Sequence, residues 1–323
     1  MGYLIGTDEA GYGPNLGPLV ISATAWEVPP WVRAGDLYGE LQDAVCPTPE
    51  RPARNSNGRV AVADSKLLYQ PGKGLRNLER GLWAALAALD QRPDSWSEVW
   101  HALAPDSISQ LLTLPWYAEY DARVPIDAKP AELDALGSTL RKALDAADIW
   151  LIDLVSRAIF PEQFNELVER HQSKGTALSN LTLELISQVL EPLEEGPISV
   201  VCDKHGGRNR YAPLLAEFFP DCVIEVRSEG RQQSVYRFGP PGRRIEFRFC
   251  TKAESYLPVA LASMASKYLR ELAMQAFNEF WCDRIPGLQP TAGYPEDAKR
   301  FKTAIAALQH ELGIADRVLW RVK

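Results

Sequence analysis

The sequence predicts an α/β fold in which helices cover a mixed β-sheet, and three observations predict it. Two short apolar runs near the N-terminus, residues 3–7 and 19–26, are rich in branched side chains and are separated by Gly11, Gly13, Pro14, Gly17 and Pro18. Further runs of the same kind, at 149–155 and 198–202, alternate with helical patterns. At 323 residues and 46% hydrophobic content, the chain can bury a large core against such a sheet.

The first two runs read as adjacent strands joined by a Gly/Pro turn. Residues 27–58, with Pro29, Pro30, Pro47, Pro49 and Pro52, read as loop; 59–63 leads into Asp64, Ser65 and Lys66, and a helix follows over 74–89. From 91 to 130 the pattern is irregular, and its Trp96, Trp100, Trp116, Tyr117 and Tyr120 are assigned to the core because large aromatics dominate burial. Leu133, Leu136, Leu140 and Leu144 fall on one face of a helix over 131–146. After the strand at 149–155, Pro161 opens a helix to about His171, and Ser179 is expected to cap another reaching about Leu193. A buried strand at 198–202 ends at Asp203. Residues 211–219 read as helix, 223–226 as a strand, and 235–238 with 245–249 as a hairpin across GPPGR. Long helices from about Ala253 to Phe280 and from Pro295 to about Leu312 close the chain. No repeat of fixed period is visible.

The polar and Pro-rich stretches interrupt this pattern without a linker composition, so one elaborated domain over 1–323 is expected. A formal charge of −7 and a pI near 5.3 exclude a protein that coats nucleic acid through a broad basic surface. They leave room for an enzyme with a local basic patch around an acidic, metal-charged site. No apolar run approaches the ~20 residues of a membrane span, and MGYLIGTDEAG has neither a basic leader nor a small-residue cleavage site. The expectation is a cytoplasmic monomer without membrane contact. The cysteines 46, 202, 222, 250 and 282 are dispersed, without CxxC spacing, and read as reduced thiols. GxGxxG, Walker and GxSxG motifs are absent from the sequence, and four histidines without metal-ligand spacing argue against zinc.

The chemistry lies in acids at strand ends. Two-metal hydrolysis of a phosphodiester needs several carboxylates from different elements converging on one point, so that the metals clamp both the attacking water and the leaving oxygen. Asp8 and Glu9 end the first strand, Asp203 ends a later one, and Glu254 stands where a long helix begins. Taken singly, each has the ordinary reading of a loop residue or helix cap. The adjacent pair followed by a glycine-rich turn is more telling, because such a turn lets backbone amides approach a phosphate. Asp153 also sits in an apolar run, but more strand follows it, whereas Asp203 precedes a Gly-rich turn. His205 beside Asp203 is a candidate for proton transfer.

GTDEAGYGPNLGPLVISA resembles the N-terminal signature of the type 2 ribonucleases H, roughly G-[IV]-D-E-A-G-[RK]-G-x-x-x-G-P-[LMV]-V. VADSKLL resembles that family's D-S-K-x-L element, and TKAESYLPVALASMASKYLRE its K-x-D-x-x-x-P-x-x-x-A-S-x-x-A-K-x-x-R-[DE] helix, all in the family's order. VVCDKHGGRNRY and PTAGYPEDAKRF correspond more loosely to the strand of the third acid and to a C-terminal segment. Residues 92–148 and most of 27–58 have no counterpart and stand as insertions, while about 253–323 forms a C-terminal helical part.

The resemblance implies a ribonuclease-H-like mixed sheet flanked by helices and a metal site of Asp8, Glu9, Asp203 and Glu254 holding Mg²⁺ or Mn²⁺. It implies an endonuclease acting on RNA–DNA hybrids, or 5′ of ribonucleotides in DNA. Glu254 stands where the family usually has aspartate; one added methylene shifts a ligand by a sizeable fraction of the ~3.5–4 Å intermetal distance, so altered rate or metal preference is expected. The substrate-contacting turn reads Gly11, Tyr12, Gly13, with tyrosine where the family has Arg or Lys. Tyr12 can stack on a sugar or base, donate to a phosphate, or pack on a neighbouring loop. Tyr294 falls at the position of a tyrosine that reads the ribonucleotide near the RNA–DNA junction. Lys66 and Lys252 are the first candidates for phosphate contacts, followed by Lys267, Arg270, Arg208 and Arg210. The competing readings are a non-cleaving nucleic-acid- or protein-binding scaffold, and a nuclease whose substrate has drifted.

Overall fold

The computed structural model describes residues 1–49, 58–70 and 72–322. Part of the loop expected over 27–58, including Pro52, lies outside the described residues. The strands are β1 (Gly2–Ala10), β2 (Leu19–Val28), β3 (Val45–Cys46), β4 (Val60–Ala61), β5 (Trp150–Ile159), β6 (Ile198–Asp203), β7 (Glu225–Glu229), β8 (Gln233–Phe238) and β9 (Ile245–Cys250). Seven of them form one sheet in the order β5-β2-β1-β6-β9-β8-β7, and β3 pairs with β4 apart from it. The sheet is mixed, as the sequence predicts: β1, β6 and β9 run parallel, while β2, β5 and β8 run against their neighbours.

Alternation along the strands builds two cores. Leu4, Val20 and Val201 face one side, packed beneath the helices Leu257–Arg284, Arg76–Ala88 and Pro130–Ala147. Ile5, Ile21 and Val200 face the other, beneath Pro161–His171, Lys174–Leu190 and Ala212–Phe218. Among the described residues, no helix is long and apolar enough to cross a membrane.

Several elements depart from the expected boundaries for local reasons. The helix expected to begin at Ser179 starts at Lys174: Ser173, in extended conformation, accepts from the Thr176 N–H at 3.2 Å. Ser179 is buried one turn and a half inside, its hydroxyl donating back to the Gly175 carbonyl at 2.8 Å. The helix expected from Ala253 begins at Leu257, after a 3₁₀ turn at Ala253–Ser255. Pro258 tolerates only the first helical turn, which fixes that start. The third boundary to move is that of the strand expected at 223–226, which forms as β7, two residues later.

The irregular stretch 91–130 contains a helix at Trp96–Leu103, 8 residues long, whose buried Trp96, Val99, Trp100 and Leu103 share one face but span too short a window for the period to stand out. Its start was marked by Ser95 and Glu98, which sit at capping-box spacing; the Ser95 hydroxyl accepts from the Glu98 N–H. Trp96, Trp100, Trp116 and Tyr117 are buried, as expected. Trp116 packs edge-on against Phe277 of the long helix at 5.2 Å, and Trp96 Nε1 donates to the Leu272 carbonyl at 3.3 Å. The stretch therefore buttresses Leu257–Arg284 from behind.

A buried acid completes the buttress. Glu79 is fully buried and accepts from the N–H groups of Ile126, Asp127 (2.9 Å) and Ala128 (2.7 Å) and from the Tyr268 hydroxyl (3.1 Å). One carboxylate thus joins the helix Arg76–Ala88, the 126–128 turn and the long helix. Glu79→Ala would leave four donors without this acceptor, two of them buried, and urea unfolding should show a loss of about 3 kcal/mol.

Candidate active site

The site forms where the C-terminal ends of two parallel strands meet the start of the long helix. β1 and β6 pair from Tyr3↔Ile198 to Thr7↔Cys202, so Asp8 and Asp203 follow the last paired residues side by side. Gly6 permits the third element to approach: a Cβ there would lie 2.3 Å from the Pro258 carbonyl carbon and 2.4 Å from the Val259 nitrogen. With no side chain at that point, the helix's first turn rests directly on β1, and Thr24 on β2 donates to the Pro258 carbonyl at 2.9 Å. Asp203 Oδ1 accepts the Ala253 N–H at 3.3 Å, which ties the 3₁₀ turn bearing Glu254 to the end of β6.

As a result, Asp8, Asp203 and Glu254 each offer an oxygen within 4.8 Å of the others. Glu9 lies outside that triad, but its charge is felt by Asp8, and it feels those of Asp203 and Glu254. Asp153 stands in register with Ala25 on an outer strand and takes no part. The proton-transfer candidate His205 is buried on the opposite core, against Tyr211 and Phe249, with its Nδ1 3.1 Å from Ser179 Oγ. Burial, with Arg208 nearby, lowers its pKa to about 3, so it stays neutral and is structural.

The sequence reading overlooked the hydroxyls that position the acids. Ser263 reaches the Asp8 carboxylate and lies 3.1 Å from Ser65 Oγ, joining the long helix to the Asp64-Ser65-Lys66 element. Ser266 Oγ lies 3.0 Å from the Asp8 carbonyl and 2.7 Å from Ser22 Oγ, which in turn meets Ser156 at 2.7 Å. The three-residue spacing of Ser263 and Ser266 on a helix face was the available signal. Asp64 caps the short helix Ser65–Leu68 by accepting from the Lys66 N–H, which brings a fifth acid to the rim.

Lys66 and Lys252 both line an open cleft of ≈ 640 Å³ in front of Asp203 and Glu254, with Lys66 Nζ 3.8 Å from Glu254 Oε1. Lys252 adopts a left-handed backbone (φ +59°) at the turn from β9. The other proposed phosphate contacts are engaged elsewhere. Lys267 pairs with Glu271, Arg208 donates to Thr176 Oγ1 (2.8 Å), Arg210 lies 3.7 Å from Glu229, and Arg270 is buried.

The glycine turn is held from behind by two buried guanidiniums. Arg270 donates to the carbonyls of Pro18 (2.6 Å), Leu16 (3.2 Å) and Ala292 (3.2 Å), and Arg321 to those of Gly11 (2.5 Å) and Pro14. Gly11 adopts φ +90°, where a side chain would be strained and would meet the Pro18 carbonyl. The Gly293 carbonyl accepts from the N–H groups of Asn15 (2.8 Å) and Leu16 (3.3 Å), which sets the exposed Tyr294 ring beside Gly13. The Tyr12 ring packs on the edge of the second core with Lys174 Nζ 5.3 Å from its centroid. Lys174 also reaches the Tyr12 carbonyl at 3.4 Å.

Burial first, and then the neighbouring acids, raise the pKa of Asp8, Glu9, Asp203 and Glu254. Burial and Glu9 push Asp8 well above its ordinary range; burial, Asp203 and Glu254 raise Glu9 to about 7; and burial is the first cause for Asp203 and Glu254. A set of hard oxygen ligands with no histidine or thiolate fits Mg²⁺ or Mn²⁺ and suits zinc poorly.

No protein-family model matches the sequence, and no curated protein matches it either. Among solved structures, the chain is similar to one from the PCNA–RNase HII complex of Archaeoglobus fulgidus, at 14% identity over 99% of this chain and 94% of that chain (TM-score 0.42). It is similar to ribonuclease H2 of Pyrococcus horikoshii, at 17% identity over 98% of this chain and 92% of that one (TM-score 0.43). A third is Bst-RNase HIII in complex with Mn²⁺, at 15% identity over 99% and 66% (TM-score 0.40). Those likenesses concern fold; the chemistry rests on this chain's own side chains.

The raised carboxyl pKa values set the sign of a pH dependence. Folding binds protons between the ordinary value of 4.5 and the folded value of about 7 at Glu9, so stability is greatest at low pH and is lost as pH rises through 7. Thermal melts in EDTA should therefore fall from pH 5 to pH 8, and millimolar Mn²⁺ should remove most of that fall. A melting temperature that is flat in EDTA would contradict the burial of these carboxyls beside one another.

Proposed function

We propose that the chain is a metal-dependent endonuclease that hydrolyses the RNA strand of RNA–DNA hybrids, or the phosphodiester 5′ of ribonucleotides in DNA. The observation that carries this reading is the convergence of Asp8, Asp203 and Glu254 from three separate elements, with the Glu9 charge beside them, where Asp203 and Glu254 line an open cleft. Uncompensated, such a cluster is repulsive; compensated by divalent cations, it is a hydrolytic centre.

Asp8, Asp203 and Glu254 would hold the ions, with Glu9 adding charge beside them. Bound there, Mg²⁺ or Mn²⁺ supplies an activated water and stabilises charge on the leaving oxygen. Water adds to phosphorus and the bond to the 3′ oxygen breaks, leaving a 3′-hydroxyl and a 5′-phosphate. Lys66 and Lys252 at the cleft wall are placed to meet phosphate oxygens of the bound strand. The turn through Gly11 and Gly13 presents backbone to the ribose, and Tyr294 beside Gly13 offers an exposed face for stacking. A 2′-hydroxyl is the local mark that separates RNA from DNA, and a backbone turn next to an aromatic ring is suited to detect it.

Cleavage of matched hybrid, RNA and DNA duplexes in Mg²⁺ tests the proposal directly. The hybrid should be cut, and Asp8→Asn should lower its turnover by about a thousandfold or more. Calorimetric titration with Mn²⁺ should show binding in the wild type that Asp8→Asn and Asp203→Asn weaken. Binding indifferent to those substitutions, or equal cleavage by Asp8→Asn, would remove the basis for the assignment and favour a scaffold.

A further inference from the structure

The sheet face that carries Asp203 continues well beyond the carboxylates. Every second residue of a strand shares a face, so Ser199, Val201 and Asp203 of β6 lie in register beside Glu246, Arg248 and Cys250 of β9. The long helix covers β1 and β2 on this side. Past it, β8 and β9 turn polar, while their other face buries Tyr236, Phe238, Phe247 and Phe249.

A concavity of ≈ 540 Å³ opens on the uncovered part, lined by Arg33, Arg227, Arg237, Arg244, Arg248 and Glu246. Four of these guanidiniums pair with the carboxylates of Glu246 and of Glu225 beside the concavity, and Arg33 adds a fifth, a surplus of three positive charges in a chain whose net charge is −7. Those two acids hold the arginines in place without satisfying them. Glu246 accepts from Arg237 (2.6 Å) and Arg248 (2.7 Å), and Glu225 from Arg227 (2.8 Å) and Arg244 (3.2 Å). Arg248 Nε is buried with no acceptor. Planar guanidinium forks fixed by a carboxylate on one edge present their other edges to an anion, and phosphate is the group whose geometry they match.

We propose that this concavity is a second phosphate site, which takes the sugar–phosphate backbone of the same nucleic acid whose strand enters the carboxylate cleft. The inference rests on the nuclease reading above. Four residues separate the Asp203↔Cys250 pair from Ser199↔Glu246, about 13 Å at ~3.3 Å per residue. That span corresponds to about four base steps along a duplex at ~3.4 Å each. Tyr256, two residues beyond Glu254, hydrogen-bonds Arg248 and so lies between the two sites. A duplex that sets one phosphate at the carboxylates would therefore bring backbone past the arginines within half a helical turn.

The test compares wild type with Arg237→Glu/Arg244→Glu, with the milder Arg237→Gln/Arg244→Gln, and with a control of equal charge change elsewhere, Arg92→Glu/Arg317→Glu. Fluorescence anisotropy of a labelled hybrid duplex of about 20 base pairs, with Ca²⁺ replacing Mg²⁺ to keep the strand intact, reads affinity against salt. The charge-reversed pair should bind at least about tenfold more weakly, and its slope of log K against log salt should be shallower by about 2, near 0.9 per lost phosphate contact. The glutamine pair should fall between, the control should match wild type, and melting temperatures identify any variant that fails to fold. Equal affinity and equal slope in both concavity variants, with wild type still binding and cleaving, would overturn the site alone. Failure of wild type to bind or cut any duplex would overturn the nuclease reading and the site with it. Stabilisation of wild type, but not of the variants, by inorganic phosphate, with duplex affinities unchanged, would mark a free-anion site and overturn the nucleic-acid assignment.

Discussion

Mutual repulsion among the carboxylates at the ends of β1 and β6 is the constraint from which the rest of this structure follows. Asp8, Asp203 and Glu254 bring oxygens within 4.8 Å of one another, and neither burial nor proximity favours their charged forms. Left to itself, the 3₁₀ turn bearing Glu254 would move away. It is held by the bare backbone of Gly6 under Pro258, by the Thr24 hydroxyl on the Pro258 carbonyl, and by the Ala253 amide donating to the Asp203 carboxylate. Behind them, Trp116 against Phe277 and Glu79 on Tyr268 fix the helix from its far side. The insertion that looks remote from the chemistry is part of what resists the repulsion.

The glycine turn is fixed by the opposite means. Where the acids are held by hydroxyls and amides, the turn's carbonyls are gathered by Arg270 and Arg321, whose charged forms burial disfavours. Arg321 is almost the last residue of the sequence and meets almost the first structured turn. Its backbone N–H also donates to the Asn15 carbonyl at 2.8 Å, and the Asn15 side chain returns a bond to the Arg321 carbonyl at 2.8 Å. A cation placed behind the backbone in this way contributes positive potential without occupying the front of the turn. Tyr12 can therefore stand at that front, packed under Lys174, without leaving the turn uncharged.

Much of this was legible from residue pattern, and the misses share a cause. Strand ends and acids were readable because Asp8, Glu9 and Asp203 each break an apolar run, and because a glycine-rich turn after an acid pair is an uncommon string. The Ser263 and Ser266 ladder was not readable, since serines in a helix are individually ordinary and gain meaning only when β2 and the Asp64 element dock against them. His205 was misplaced because adjacency to Asp203 in sequence says nothing about which face of the sheet the next residue enters. The helix at Trp96–Leu103 was hidden by its shortness, 8 residues inside an irregular stretch, although Ser95 and Glu98 marked its start. Arg321 could not be weighed at all, because its role exists only through a separation of about 310 residues in sequence.

The strand β9 shows how much one alternation can decide. IEFRFC places Ile245, Phe247 and Phe249 in the core and Glu246 and Arg248 on the opposite face, so the strand is satisfied with a helix on one side only. Had both faces been apolar, a further helix would be needed to cover β8 and β9. The face carries acid at the Asp203 end and base at the arginine concavity, with Val201 and Cys250 buried and Tyr256 lying between the two ends. Protons or divalent cations are needed to neutralise the acidic end, whereas the basic end is positive without them. On the nuclease reading, attraction for a polyanion along that face is therefore strongest away from the carboxylates, and at the carboxylates it would depend on bound ions.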